Sequence, residues 1–403
     1  MDLGGKILTL ADPTVGSTGT ETNSCQLLEG SNVTFKNGTL KSDNNKIMIQ
    51  NYCNLTLDNM TVEDTNAQYV VSNNCGNISI NNTTINAGSN ANQFAFDVCG
   101  YAKYTAGVTV TVSGTSVING KVEISKSAGN TEPMKLNITG GTFNGDLKVD
   151  ASVGTENAKS IISVSGGTFS DPSVLKYMAT NATVDIKLLS NINIAKTELA
   201  TGYILNAANA TANLNLNGHD IINSSETADA TPFTQIFTVQ NGTLNISGNG
   251  NVKCDASATA KDDGYRMVIE ARGHGTVNIH GGSYYNTQKL NTQIDLIYAR
   301  ENGKINIYGL TFESGKYGTP NNDTDGRYWV LNLKNTDKNT ASIQVSGGTF
   351  INFNPANPNM DDNESYLVTG YEVTRDGSVY TAAHKVNDGR KEYIVGPTSQ
   401  ENR

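Results

Sequence analysis

Three six-residue segments hold the side chains best suited to chemistry in this sequence: Met267-Val-Ile-Glu-Ala-Arg272, Asp295-Leu-Ile-Tyr-Ala-Arg300 and Trp329-Val-Leu-Asn-Leu-Lys334. Laid one above another, they put Glu270, Tyr298 and Asn332 in one column and Arg272, Arg300 and Lys334 in a second. By strand alternation both columns face outward, opposite inward columns of Ile269, Ile297, Leu331 and Ala271, Ala299, Leu333. Gln240 extends the stripe, and Tyr265, Tyr308, Tyr317 and Tyr328 edge it. Carboxylates, guanidinium forks and rings on a rigid surface suit an anionic or neutral glycan, which offers hydroxyl edges and an apolar face. Like charges stacked at Arg272, Arg300 and Lys334 repel one another unless a ligand or an acidic loop neutralises them. The candidate ligand-binding set is therefore Glu270, Arg272, Tyr298, Arg300, Asn332, Lys334 and Tyr328. The plainer reading is that any parallel sheet shows water a polar face.

Cleaving a glycosidic bond by acid and base takes paired carboxylates, and lyase chemistry takes an Arg or Lys base with a calcium cage. Glu270, Asp295 and Glu301 come close in the stacked alignment, but Asp295 has inward parity. No catalytic residue, metal ligand or cofactor is assigned, and the reading leans against an enzyme. His219, His280 and His384 stand isolated. The five cysteines, Cys25, Cys53, Cys75, Cys99 and Cys254, include no C-x-x-C and have no paired His, which argues against zinc. Gaps of 28, 22 and 24 residues separate the first four, so similar places on successive coils are expected for them, as buried thiols or as disulfides between coils.

What must position these groups is a repeat. Val33-Thr-Phe, Leu55-Thr-Leu, Ile78-Ser-Ile, Val110-Thr-Val and Leu136-Asn-Ile-Thr-Gly-Gly-Thr-Phe143 open a series that continues with Ile162-Ser-Val-Ser-Gly-Gly-Thr-Phe169, Leu214-Asn-Leu and Leu244-Asn-Ile. Val277-Asn-Ile-His-Gly-Gly-Ser-Tyr284, Ile305-Asn-Ile and Ile343-Gln-Val-Ser-Gly-Gly-Thr-Phe350 complete it, and Val184-Asp-Ile fills the longest gap. Apolar residues at i and i+2, broken by Gly and Asn, exclude a helix over most of the length. The Gly-Gly pair turns the chain, and the aromatic after it re-enters the core.

The fold expected is all-β, a single-stranded right-handed parallel β-helix of roughly 13 coils with a C-terminal hairpin cap. Residues 1-351 form the helix and 352-403 the loop and cap, signalled by Asp376-Gly377 between apolar runs. Excursions from the rod are expected at Ser89–Val108, Asn223–Thr234, Cys254–Arg266, Tyr285–Asp295, Gly315–Tyr328 and Asn352–Tyr366. A helical turn is expected after Asp171-Pro172.

Across 403 residues, hydrophobic content is 37%, charged content 17% and Gly reaches 40, the composition of short strands joined by tight turns. A net charge of −9 works against nucleic acid, whose phosphates need a basic footprint. No apolar stretch is long enough to span a membrane, and no basic segment followed by an apolar run marks a signal peptide ahead of the strand at Lys6–Leu10; the expectation is that an upstream anchor or leader has been removed or that the protein is released by a route needing none, such as lysis.

With the repeats in place, the chain resembles the pectate-lyase-like β-helix superfamily and, more narrowly, the Gly-Gly-Thr-Phe repeat surface and fibre proteins of gut bacteria and their phages. The most specific stretches are Tyr328-Trp-Val-Leu-Asn332, Gly347 to Asp362 and Ser365-Tyr-Leu-Val-Thr-Gly-Tyr371. Gly273-His274-Gly275 is similar to the Gly-His-Gly motif of polygalacturonases, and Asp262-Asp263 to their paired aspartates, but the spacing differs and the Arg-Ile-Lys element is missing. The resemblance implies a non-catalytic recognition or structural module, a phage head-fibre or spike component or a bacterial adhesin. Its expected location is extracellular, at the virion surface or bacterial cell surface. Expected partners are a glycan or host cell-surface polysaccharide and capsid or tail proteins, with homo-oligomers allowed. The alternative is a polysaccharide lyase or glycoside hydrolase of the pectinase type.

Overall fold

The computed structural model describes residues 1–10, 15–17, 20–44, 46–194, 202–223, 233–254, 265–286, 294–309, 311–314, 328–358 and 364–386. Short strands pair across the coils into a 19-stranded, a 7-stranded and an 8-stranded sheet. Nearly all pairings are parallel, as in a β-solenoid. A coil consists of three strands, for example Tyr69–Asn73, Gly76–Asn81 and Thr84–Ala87. The outer side chains of the middle strand alternate with buried ones: Val108, Val110 and Val112 face in and Thr109, Thr111 and Ser113 face out.

The aromatic two residues after a Gly-Gly turn fills the interior as expected. Phe143 stacks on Phe169 at 5.1 Å, and Tyr284, Phe312 and Phe350 form a continuous column at 5.2 and 5.0 Å. The abundant Asn has two uses. Asn37, Asn59, Asn82, Asn181 and Asn209 take positive φ where the chain bends, a conformation their short amides tolerate. Others bond along the rod, as from Asn54 to Asn32 at 2.9 Å and from Asn77 to Asn54 at 3.0 Å.

Alternation fails at one recurring place. Met48 and Ile49, Val70 and Val71, Ala95 and Phe96, Val268 and Ile269, Leu296 and Ile297, and Val330 and Leu331 are consecutive, and both members of each pair are buried in the core. At these places the two-residue burial period is interrupted. Asp295, next to the Leu296–Ile297 pair, is itself 1% exposed.

The rod changes character midway. The 7-stranded sheet ends at Leu147–Val149, and the 8-stranded sheet begins at Ile192–Asn193. Between them the 3-10 helix Pro172–Tyr177 packs against Tyr203–Asn215 and buries Val174, Leu175 and Tyr177. The Asp171 carboxylate caps it by accepting from Ser173 N at 2.6 Å, as the sequence implies. The helix Thr155–Ile161 was not legible: Gly154 at its N-cap offers no side-chain acceptor.

Several expectations need correction. Ser89–Val108 is no simple excursion, since Phe94–Gly100 is a buried strand of the 7-stranded sheet. Leu214 aligns with Ile246 and Ala212 with Leu244, a shift of two residues from the alignment by first apolar position. Of the cysteines, Cys53 and Cys75 occupy equivalent places, two residues beyond the paired Asn51 and Asn73, but Cys25 aligns with Ile49 and Cys99 with Ser125. No disulfide joins any of the five. Most of the other expected excursions lie outside the described residues. Tyr371–Asp376 and Val379–His384 form the expected antiparallel hairpin, and the second strand also pairs antiparallel with Gly348–Ile351.

Candidate functional site

The register of the three segments is as aligned: Ile269, Ile297 and Leu331 are paired, as are Glu270, Tyr298 and Asn332, and Ala271, Ala299 and Leu333. The first polar column lies outside the core, yet little of it meets water. Glu270 is 2% exposed and Asn332 5%. Glu270 accepts from Arg300 Nε at 2.6 Å, from Gln235 Nε2 at 3.4 Å and from Thr238 Oγ1 at 3.5 Å. Asn332 donates to Asp295 Oδ1 at 2.9 Å. Tyr298 is half-buried, and burial followed by the charge of Asp295 pushes its phenol up to about 12.

The stacked cations each find a partner. Arg300 also pairs with Glu301, which stands in the turn after the strand and accepts from Gly273 N at 3.1 Å. Lys334 Nζ lies 3.3 Å from Asp337. With its amide oxygen turned towards the guanidinium, Gln240 accepts from Arg272 Nε at 3.2 Å. Glu301 and Asp337 thus supply acidic turn partners for Arg300 and Lys334, while Arg272 meets a neutral amide. Among the seven nominated residues, Arg272, Tyr298, Arg300 and Lys334 keep part of their surface accessible, and the side chain of Tyr328 lies outside the described residues, as do those of Tyr265 and Tyr317.

The carboxylates considered for acid–base work hold structure together. Glu270 and Glu301 share Arg300, and Asp295 is buried beside Asn332. Gly273-His274-Gly275 is a bend inside Tyr265–Ile279: Gly273 has φ 59°, and a Cβ at Gly275 would lie 2.0 Å from the Val239 carbonyl oxygen. Asp262 and Asp263 lie outside the described residues. Among the described residues no group of three or more His, Cys, Asp or Glu is placed to hold a metal ion.

Sequence reasoning missed two groupings. His280, read as isolated, lies parallel to Tyr308 one coil away, with ring centroids 4.4 Å apart and planes within 2°. Both are exposed, Tyr308 at 47%. Reading the fourth column of the repeat, Ser247, His280, Tyr308 and Ser346, would have found the pair. In the N-terminal half the position following the buried consecutive pair carries Gln50, Ser72, Asp97 and Glu123. Asp97 is 4% exposed and accepts from Asn73 N and from Ser72 Oγ at 3.4 Å, while Glu123 accepts from Tyr69 Oη at 2.7 Å. Burial, then the neighbouring Glu123, raise the Asp97 carboxyl to about 8.

Comparison with protein-family models, with curated proteins and with solved structures returns no match. The class of the molecule therefore rests on its own architecture: an all-β, largely parallel repeat module of the β-solenoid type.

Proposed function

We propose that this chain is a non-catalytic recognition module, a right-handed parallel β-helix of roughly 13 coils displayed at a virion or bacterial cell surface, where it binds glycans. Residues 1–351 form the rod, and the hairpin Tyr371–His384 covers its last edge, the role an open parallel sheet requires of a terminal element. A phage head-fibre or spike component, or an adhesin, is the setting such a rod serves.

The observation that carries this reading is the buried Glu270–Arg300 pair. It fixes Arg300 in place beside Tyr298, while Gln240 meets Arg272 and Asp337 meets Lys334, so part of the ordering cost of this polar stripe falls on folding rather than on binding. The same pair commits the nearest carboxylate to structure, which favours recognition over hydrolysis. A glycan array tests it with the intact chain and the double variant Arg272→Ala/Lys334→Ala, which leaves Glu270–Arg300 untouched. Binding by the intact chain that is lost in the variant is expected; unchanged binding overturns the site.

A further inference from the structure

In the N-terminal half of the rod, the turn 127–133 and the helix Thr155–Ile161 of the following coil border a surface cavity of about 280 Å³. Its floor is apolar: Val153 is 2% exposed, Met134 6%, and Ile161 packs against the core. Hydrogen bonds hold its walls. Lys126 N donates to Ser152 Oγ at 3.1 Å, Asn130 Nδ2 to the Glu132 carbonyl at 3.3 Å and Asn157 Nδ2 to the Val153 carbonyl at 2.8 Å.

Three charged side chains line this cavity without an opposite charge to meet. Lys126 and Glu132 are half-buried, and neither the ammonium nor the carboxylate has a hydrogen-bond or ion-pair partner among the described residues. Lys135 Nζ donates to the Ser160 carbonyl at 2.7 Å, which orients the ammonium and leaves its charge uncompensated. Lys159 on the same helix is different, since Glu156 neutralises it at 2.9 Å. Half-burial removes part of the water around a charge, so each of the three gains from a ligand group of opposite sign. The complement of two ammoniums and one carboxylate is two carboxylates and one ammonium.

We infer that this cavity binds a free acidic α-amino acid, whose two carboxylates meet Lys126 and Lys135, whose ammonium meets Glu132, and whose methylenes lie on Met134 and Ile161. The site is separate from the Arg272, Tyr298 and Lys334 stripe and stands without the glycan reading. Size agrees with the charge pattern. Sites for drug-sized ligands begin at about 300 Å³, so a cavity of this volume takes a molecule of about ten non-hydrogen atoms rather than a sugar chain. The fixed Lys135 and the tied turn keep the charged groups apart before the ligand arrives, which lowers the ordering cost of binding.

Isothermal titration of the full chain tests the assignment with L-glutamate and L-aspartate, with L-glutamine and L-asparagine, which lack one carboxylate, and with glutarate and succinate, which lack the ammonium. The expected result is saturable binding of at least one acidic amino acid with a Kd of about 1 mM or tighter, and binding about fivefold weaker for its amide and for its diacid. Lys126→Met should erase the preference over the amide, and Glu132→Gln the preference over the diacid. Both side chains reach the surface, so both variants should keep the wild-type circular dichroism. Arg272→Ala/Lys334→Ala should bind the amino acid as the wild type does. Absence of saturable binding by either acidic amino acid overturns the site, as does equal binding of acid, amide and diacid by the wild type. A preference that survives both Lys126→Met and Glu132→Gln overturns it too, whatever the glycan array shows.

Discussion

Arg300 Nε lies 2.6 Å from the Glu270 carboxylate across one coil, and that carboxylate is almost wholly withdrawn from water. Truncating Arg300 leaves the Glu270 charge buried with only the longer contacts from Gln235 and Thr238 to compensate it. Arg300→Ala is expected to destabilise the chain by about 3–5 kcal/mol in urea unfolding, and Arg300→Met combined with Glu270→Leu to recover most of that loss. A single variant as stable as the wild type would show that Glu270 is not held by Arg300.

Asp97 gives the chain a pH dependence of definite sign. Its folded carboxyl titrates at about 8, against an ordinary value of 3.8, with Glu123, Tyr69, Ser72 and Cys99 around it. The stability tied to the neutral carboxyl is fully present below the unfolded value and is lost as pH climbs through the folded one. Wild-type urea midpoints should therefore fall between about pH 4 and about pH 8, and Asp97→Asn should flatten part of that fall. Equal slopes in the two proteins would contradict the assignment.

Phe312 lies between Tyr284 and Phe350 in the aromatic column and is fully buried. Phe312→Ala removes a ring that both neighbouring coils pack on and should cost about 3–5 kcal/mol. Thermal unfolding followed by circular dichroism measures it.

The Gly-His-Gly segment separates a bend from a reactive group. Gly275→Ala places a Cβ against the Val239 carbonyl and should lower the melting temperature, whereas His274, exposed on the outer side, should tolerate Ala. A melting temperature sensitive to His274→Ala and indifferent to Gly275→Ala would reverse that view.

Much of this architecture is written in local pattern. The alternation in Val108–Ser113, the Gly-Gly turns ahead of Phe143 and Phe350 and the cap at Asp171 each follow from rules spanning a few residues. The register of Met267–Arg272 on its neighbours was legible too, because only one alignment buries Ile269, Ile297 and Leu331 together. What escaped was set by the third dimension. The buried consecutive pairs, such as Leu296 and Ile297, break the two-residue period, which alternation alone does not foresee. Burial of Glu270 and Asn332 depends on neighbours that strand alternation does not count. The stacking of His280 on Tyr308 joins residues far apart in sequence, visible only when a polar column is read down the coils.

The central claim is recognition without cleavage. Incubating the full chain with a polysaccharide carrying the glycan it binds on the array, then sizing that polysaccharide by gel filtration, tests the claim most directly. The account predicts a polysaccharide that co-elutes with protein and keeps its original length; a time-dependent shortening, with new reducing or unsaturated ends, would contradict it.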